Sequence, residues 1–180
     1  MNLIEPEGLW QAVCAGLGKP RANLLLALIP VLGAFAVASA AEIGVRVFDS
    51  AWNPVFGYSA RPDADGARFA SLWAALALAP FVQGLVGALV LPLYSRPRRW
   101  LAALAVAVVG TVPLYVAGLA IVMLPGIIVV LGGFFVSAVW WARGARELLD
   151  VAQAECIEYV AATLVASSAL LLLASTAFPF

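Results

Sequence analysis

Apolar positions along this chain gather into long runs separated by short polar stretches. The longest run, residues 100–141, is broken only at Leu124-Pro125-Gly126. Each half is about 20 residues, enough to cross a hydrocarbon core of about 30 Å at a helical rise of about 1.5 Å per residue. The break carries no charge, so the stretch reads as a transmembrane hairpin with spans at 100–123 and 126–143. Arg96, Arg98, Arg99 and Trp100 mark its entry, and Trp140, Trp141, Arg143 and Arg146 mark its exit, as basic and aromatic residues do at a membrane interface. Three further runs, 23–41, 71–94 and 160–178, bring the predicted spans to five.

Three segments fall outside these runs. In residues 1–21, Leu9, Trp10, Val13, Cys14 and Leu17 recur at helical spacing. Glu5, Pro6 and Glu7 stand where a helix start favours proline and acids, and Gly16 and Gly18 stand where one ends. An interfacial amphipathic helix is expected there. Residues 42–70 mix Glu42, Arg46, Asp49, Arg61, Asp63, Asp65 and Arg68 with turn formers, which predicts a polar external loop whose Trp52, Phe56 and Tyr58 rest on the membrane surface. Residues 144–159 place Leu148, Leu149, Ala152, Cys156 and Val160 on one helical face. They are expected to extend the fourth helix and then turn, or to form a second interfacial helix. Ala38-Ser39-Ala40 has the small-x-small form of a signal peptidase site, but the two acids and the length ahead of it favour a retained span.

Composition agrees with a membrane solvent. The 180 residues are 64% hydrophobic and 11% charged, and mean hydropathy is +1.03. A soluble domain carries about 25% charged residues. Zero net charge gives nucleic acid no electrostatic foothold. With five spans and a cytoplasmic N-terminus, the inner segments hold Lys19, Arg21, Arg96, Arg98, Arg99, Arg143 and Arg146, and the outer ones hold Arg46, Arg61 and Arg68. That asymmetry satisfies the positive-inside rule and puts the C-terminus outside. Cys14 and Cys156 then face a reducing compartment and read as small apolar residues.

Chemistry within the spans is sparse. None of the acids or bases lies at mid-membrane, and the chain has no histidine, no metal-ligand spacing, no nucleophile paired with a base and no phosphate loop. No enzyme, cofactor or metal site is expected. Gln83 is the deepest polar side chain, followed by Thr111, Tyr115, Ser137, Thr163, Ser167 and Ser168, all suited to interhelical hydrogen bonds. Pro30, Pro80 and Pro113 fall mid-span, where each removes a backbone hydrogen bond. Packing explains these residues; the sharper alternative gathers Pro80, Gln83, Thr111, Pro113 and Tyr115 around a midplane cavity. Gly84, Gly87 and Gly133, with Ser137, offer small faces for close helix contact within the bundle or with a partner subunit.

The layout resembles the Yip1 domain family of small integral membrane proteins, in its prokaryotic form. The likeness is carried by RRW (98–100), TVPLYVAGL (111–119), LPG (124–126) and FFVSAVWWARGARELLDVAQAE (134–155), leading into a last apolar span. It implies an all-α, five-span bundle in the bacterial inner membrane. The role it implies is non-enzymatic organisation or scaffolding, through lipid, other membrane proteins or self-association. The long polar N-terminal region of eukaryotic members has no counterpart in residues 1–21, so their link to Rab GTPases is not implied. Two alternatives stand beside this reading: a small transporter or channel built on the midplane cavity, and an accessory subunit of a respiratory or photosynthetic complex.

Overall fold

The computed structural model describes residues 8–56, 65–120 and 126–177, and every element in it is a helix. In chain order these are α1 (Leu9–Gly16), α2 (Pro20–Phe56), α3 (Asp65–Val90), α4 (Trp100–Ala120), α5 (Gly126–Leu149) and α6 (Cys156–Ala177), with a 3₁₀ turn (Leu91–Tyr94) after α3. Among the described residues, three stretches are long and apolar enough to cross a membrane: Pro20–Ile43, Phe69–Tyr94 and Trp100–Ala120. Cys156–Leu171 is a shorter apolar helix.

α4 is the axis of the bundle, packing against α2, α3 and α5. Its sequence is mostly alanine and valine, and the run from Ala105 to Thr111 is buried throughout. Small side chains let neighbouring backbones come close, which is how helices associate where solvent supplies no hydrophobic drive. The outer helices are built the other way round. α2 exposes Leu24, Leu25, Leu32 and Phe35, α3 exposes Leu78, Leu85 and Leu89, and α6 exposes Val165 and Leu173. Large apolar side chains outside and small or polar ones inside is the arrangement of a protein whose surroundings are apolar.

Glycines set the close contacts. A Cβ on Gly84 of α3 would lie 2.8 Å from the Leu104 Cα of α4, so the two backbones cross there. Elsewhere an aromatic ring fills the space that a glycine leaves. Trp141 of α5 lies over Gly110 of α4, Tyr115 of α4 over Gly33 of α2, and Trp10 of α1 over Gly144 of α5.

α1 ends where its pattern predicts, at Gly16, and begins at Leu9 after Gly8. Gly18 takes the left-handed conformation (φ 83°) that ends such a helix, and the Leu17 amide donates to the Val13 carbonyl. Glu5, Pro6 and Glu7 lie outside the described residues. The helix is docked: Trp10 is 2% exposed and joins the main core with Trp141, Leu148 and Leu149. Trp10 thus anchors α1 on α5, while Leu9, Val13 and Leu17 border a cavity of about 430 Å³ shared with α2 and α4.

Two expectations need correction. Residues 42–56, read as the first part of a polar loop, continue α2 to Phe56, and residues 65–70 already belong to α3. Charges spaced among valine and phenylalanine do not interrupt a helix; they only change what surrounds it. Residues 57–64, with Tyr58, lie outside the described residues. Trp141, read as an interface marker, is 3% exposed and donates through Nε1 to the Ala107 carbonyl at 3.3 Å. Residues 144–159 follow the first of the two forms expected of them: α5 runs on to Leu149, a turn follows, and α6 begins at Cys156. Asp150 makes the break. It adopts a left-handed φ of 57°, and the Val151 amide reaches back to the Ala145 carbonyl at 3.2 Å, which closes the helix end. Leu124-Pro125 of the hairpin turn falls outside the described residues.

Candidate functional site

Pro80 has no amide hydrogen, so the carbonyl of Leu76, one turn earlier on α3, loses its helical partner. The Tyr115 hydroxyl of α4 takes that place, donating to the Leu76 oxygen at 2.9 Å. A freed carbonyl in an apolar interior must be satisfied by a neighbour. Here the neighbouring helix supplies a phenol whose ring lies on Gly33 of α2. One proline thus organises contacts across three helices.

Beside this contact is a cavity of about 360 Å³. Pro80 and Gln83 come to it from α3, Thr111 and Tyr115 from α4, Phe134 and Trp141 from α5, and Ser167 and Ser168 from α6, with aliphatic side chains between them. Four of the five residues expected around a midplane cavity therefore share one wall system. Pro113 does not line it. Its carbonyl lies instead 3.3 Å from where a Gly133 Cβ would stand, at the α4–α5 contact. Ser167 and Ser168 join the cavity because α6 packs against α3; a sequence period alone gives no pointer to that neighbour.

Most hydroxyl hydrogens at the cavity are committed. Thr111 donates to the Ala107 carbonyl at 2.7 Å, and Ser167 donates to the Leu164 carbonyl at 3.1 Å. Gln83 is different. It is half-buried and makes no hydrogen bond among the described residues, so its amide faces the space with both donors and its acceptor available. On its other side is a void of about 10 Å³ shared with Tyr159 and Thr163, room for about one water.

The small-residue positions are filled from within the chain. Leu104 occupies the approach to Gly84, the Tyr159 hydroxyl lies 2.7 Å from where a Gly87 Cβ would stand, and Ala117 packs on Gly133. Ser137 is fully buried, and its hydroxyl has no hydrogen-bond partner among the described residues.

The five arginines stand at the open end of the α4–α5 hairpin. Arg99, just before α4, pairs with Asp150 at 2.7 Å and donates to the Leu148 carbonyl at 3.1 Å. It therefore meets the negative end of the α5 dipole as well as a carboxylate. Arg143 pairs with Glu147 one turn on, at 3.6 Å. Arg96 is half-buried, whereas Arg98 and Arg146 are exposed. Among the described residues no group of His, Cys, Asp and Glu is arranged to hold a metal ion. Comparison with known proteins finds no matching family model, no curated relative and no similar solved structure.

Proposed function

We propose that this chain is a five-span, Yip1-like integral membrane protein of the bacterial inner membrane, with its N-terminus in the cytoplasm and a non-enzymatic organising role. The observation that carries the reading is the distribution of side chains along the long helices: most leucine and phenylalanine outward, and mainly alanine, valine, glycine and hydroxyl-bearing residues inward. In this reading the apolar parts of α5 and α6 are the fourth and fifth spans. The arginine-lined end of the hairpin, with α1 docked upon it, is the cytoplasmic face, and the outer helix faces contact lipid and other membrane proteins. The test is native mass spectrometry from intact membranes combined with cysteine accessibility at residues 57–64 and at the C-terminus. Both sites are expected to react from the periplasmic side, and the protein is expected to emerge as a defined oligomer or with a stoichiometric partner. A solitary monomer that carries neither would overturn the organising role.

A second reading has its own observation: Pro80, Gln83, Thr111 and Tyr115 surround one cavity. A binding or transport protein places a few convergent polar groups in a mainly apolar pocket. Uptake assays in reconstituted vesicles distinguish the two, since a pure organiser moves no solute.

A further inference from the structure

The donor and acceptor inventory of the cavity restricts what it takes. We propose that it binds an uncharged, largely apolar molecule carrying one hydroxyl or carbonyl group, a lipid alcohol or lipid ketone, which enters sideways between α5 and α6. This deepens the second reading above and rests on it.

Charge is the first restriction. Tyr115 is the cavity's ionisable residue, and its proton is held by the Leu76 carbonyl. Among the described residues no lining side chain offers a counter-charge, so a charged ligand would be stripped of water without compensation, at a cost of several kcal/mol. Hydrogen-bonding capacity is the second. Tyr115, Thr111 and Ser167 have each donated to a backbone carbonyl and present only lone pairs inward. The Gln83 amide has both its donors and its acceptor available. A single ligand hydroxyl matches that set, accepting from the Gln83 amide hydrogens and donating to a neighbouring hydroxyl oxygen; a ligand carbonyl uses the amide hydrogens alone. Size and access are the third. The cavity, about 360 Å³, falls at the lower end of the range of small-molecule pockets, roughly 300–1,000 Å³. Phe134 on α5 and Ser168 on α6 are its exposed rim residues, so the opening looks out of the side of the bundle, toward lipid when the helices span a membrane.

The test uses the full chain in phosphatidylcholine nanodiscs, with a sixteen-carbon alcohol bearing a photoreactive diazirine and an alkyne tag, against the same chain ending in a phosphate. The alcohol is expected to crosslink to the peptides of α3, α4 and α6 that line the cavity. Gln83→Leu should lower that labelling about fivefold to tenfold at limiting probe, the size of one lost hydrogen bond. Ser168→Trp, on the exposed rim and thus tolerated by the fold, should lower it comparably by blocking entry. Equal cavity labelling by the phosphate overturns the neutral-ligand assignment and leaves the cavity reading standing. Labelling confined to outward residues such as Leu85 and Phe135, or unchanged in both variants, overturns the two together.

Discussion

The Tyr115 hydroxyl donates a 2.9 Å hydrogen bond to the Leu76 carbonyl oxygen, 39 residues earlier in the chain. That oxygen is available because the residue four positions after Leu76 is Pro80. The two residues that explain the contact therefore sit on different helices, one removing a donor and the other restoring it. Tyr115→Phe should destabilise the fold by about 1–2 kcal/mol, within the range measured for interhelical hydrogen bonds and unsatisfied buried carbonyls. In a Pro80→Ala background the helix regains its own amide donor, and the same substitution should cost much less. Equilibrium unfolding of the four proteins in detergent measures the coupling, and a coupling near zero would show that the bond does not serve the proline.

Gly110 and Trp141 make a second pair. A Cβ at Gly110 would land on the Trp141 indole, a rigid ring held by its hydrogen bond to the Ala107 carbonyl. Gly110→Ala should cost about 1–3 kcal/mol through overpacking and through loss of the Trp141 bond to Ala107. Combined with Trp141→Leu, the penalty should be less than the sum of the two single changes. Gly132 has nothing within 4 Å of its Cβ position, so Gly132→Ala should be neutral or slightly stabilising. Thermal unfolding of the series checks the ordering.

The seating of Trp10 against Gly144 holds α1 on α5. Trp10→Ala should release the short helix without unfolding the bundle. Amide exchange in residues 9–16 is expected to speed up about a hundredfold, the effect of roughly 3 kcal/mol, while exchange in α4 stays slow. Gly144→Val should reproduce the release from the other side of the contact. Unchanged protection of α1 in both variants would place its anchor elsewhere.

The two thiols should differ in reactivity. Cys14 is exposed, whereas Cys156 is buried and its sulfur contacts the Ala152 carbonyl at 3.3 Å. Burial pushes the Cys156 thiol up; Glu155 adds to the rise and Arg146 opposes it. The thiolate is the reactive form, so a raised pKa slows alkylation as well as limiting access. In micelles near pH 7, a polar maleimide should label Cys14 alone, and Cys156 should react only after unfolding. Mass spectrometry of the labelled protein reads both sites.

Arg99 ties the start of α4 to the end of α5 through Asp150 and the Leu148 carbonyl. Both charged side chains are about half exposed, at 44% and 54%, so solvent screens the pair. Arg99→Ala should cost only about 1 kcal/mol, and high salt should remove part of the difference. A much larger loss would mark the junction as a structural keystone.

How much of this was legible beforehand depends on the kind of contact. The helical character, the end of α1, the start of α4 and the mid-helix positions of Pro80 and Pro113 all follow from local pattern. Such features depend on residues within a few turns of one another, and the chain states those directly. The polar stretch after residue 42 misleads because its charges report what surrounds a helix and not whether one forms, and because α2 carries the turn formers Gly44 and Pro54 through to Phe56.

The sequence by itself determined that this protein is helical, that an apolar medium suits most of its length, and that its spans hold neutral polar groups instead of charges. Apolar run length, composition and the absence of histidine are sufficient for those statements. Only the tertiary structure decided that Trp141 is core and not belt, that Trp10 anchors α1, and that Pro80, Gln83, Thr111 and Tyr115 share a cavity from which Pro113 is excluded. The physical reason is rotation. Each helix carries its polar residues at a particular angle about its own axis, and only packing against specific glycines and small residues on its neighbours sets which angles face one another.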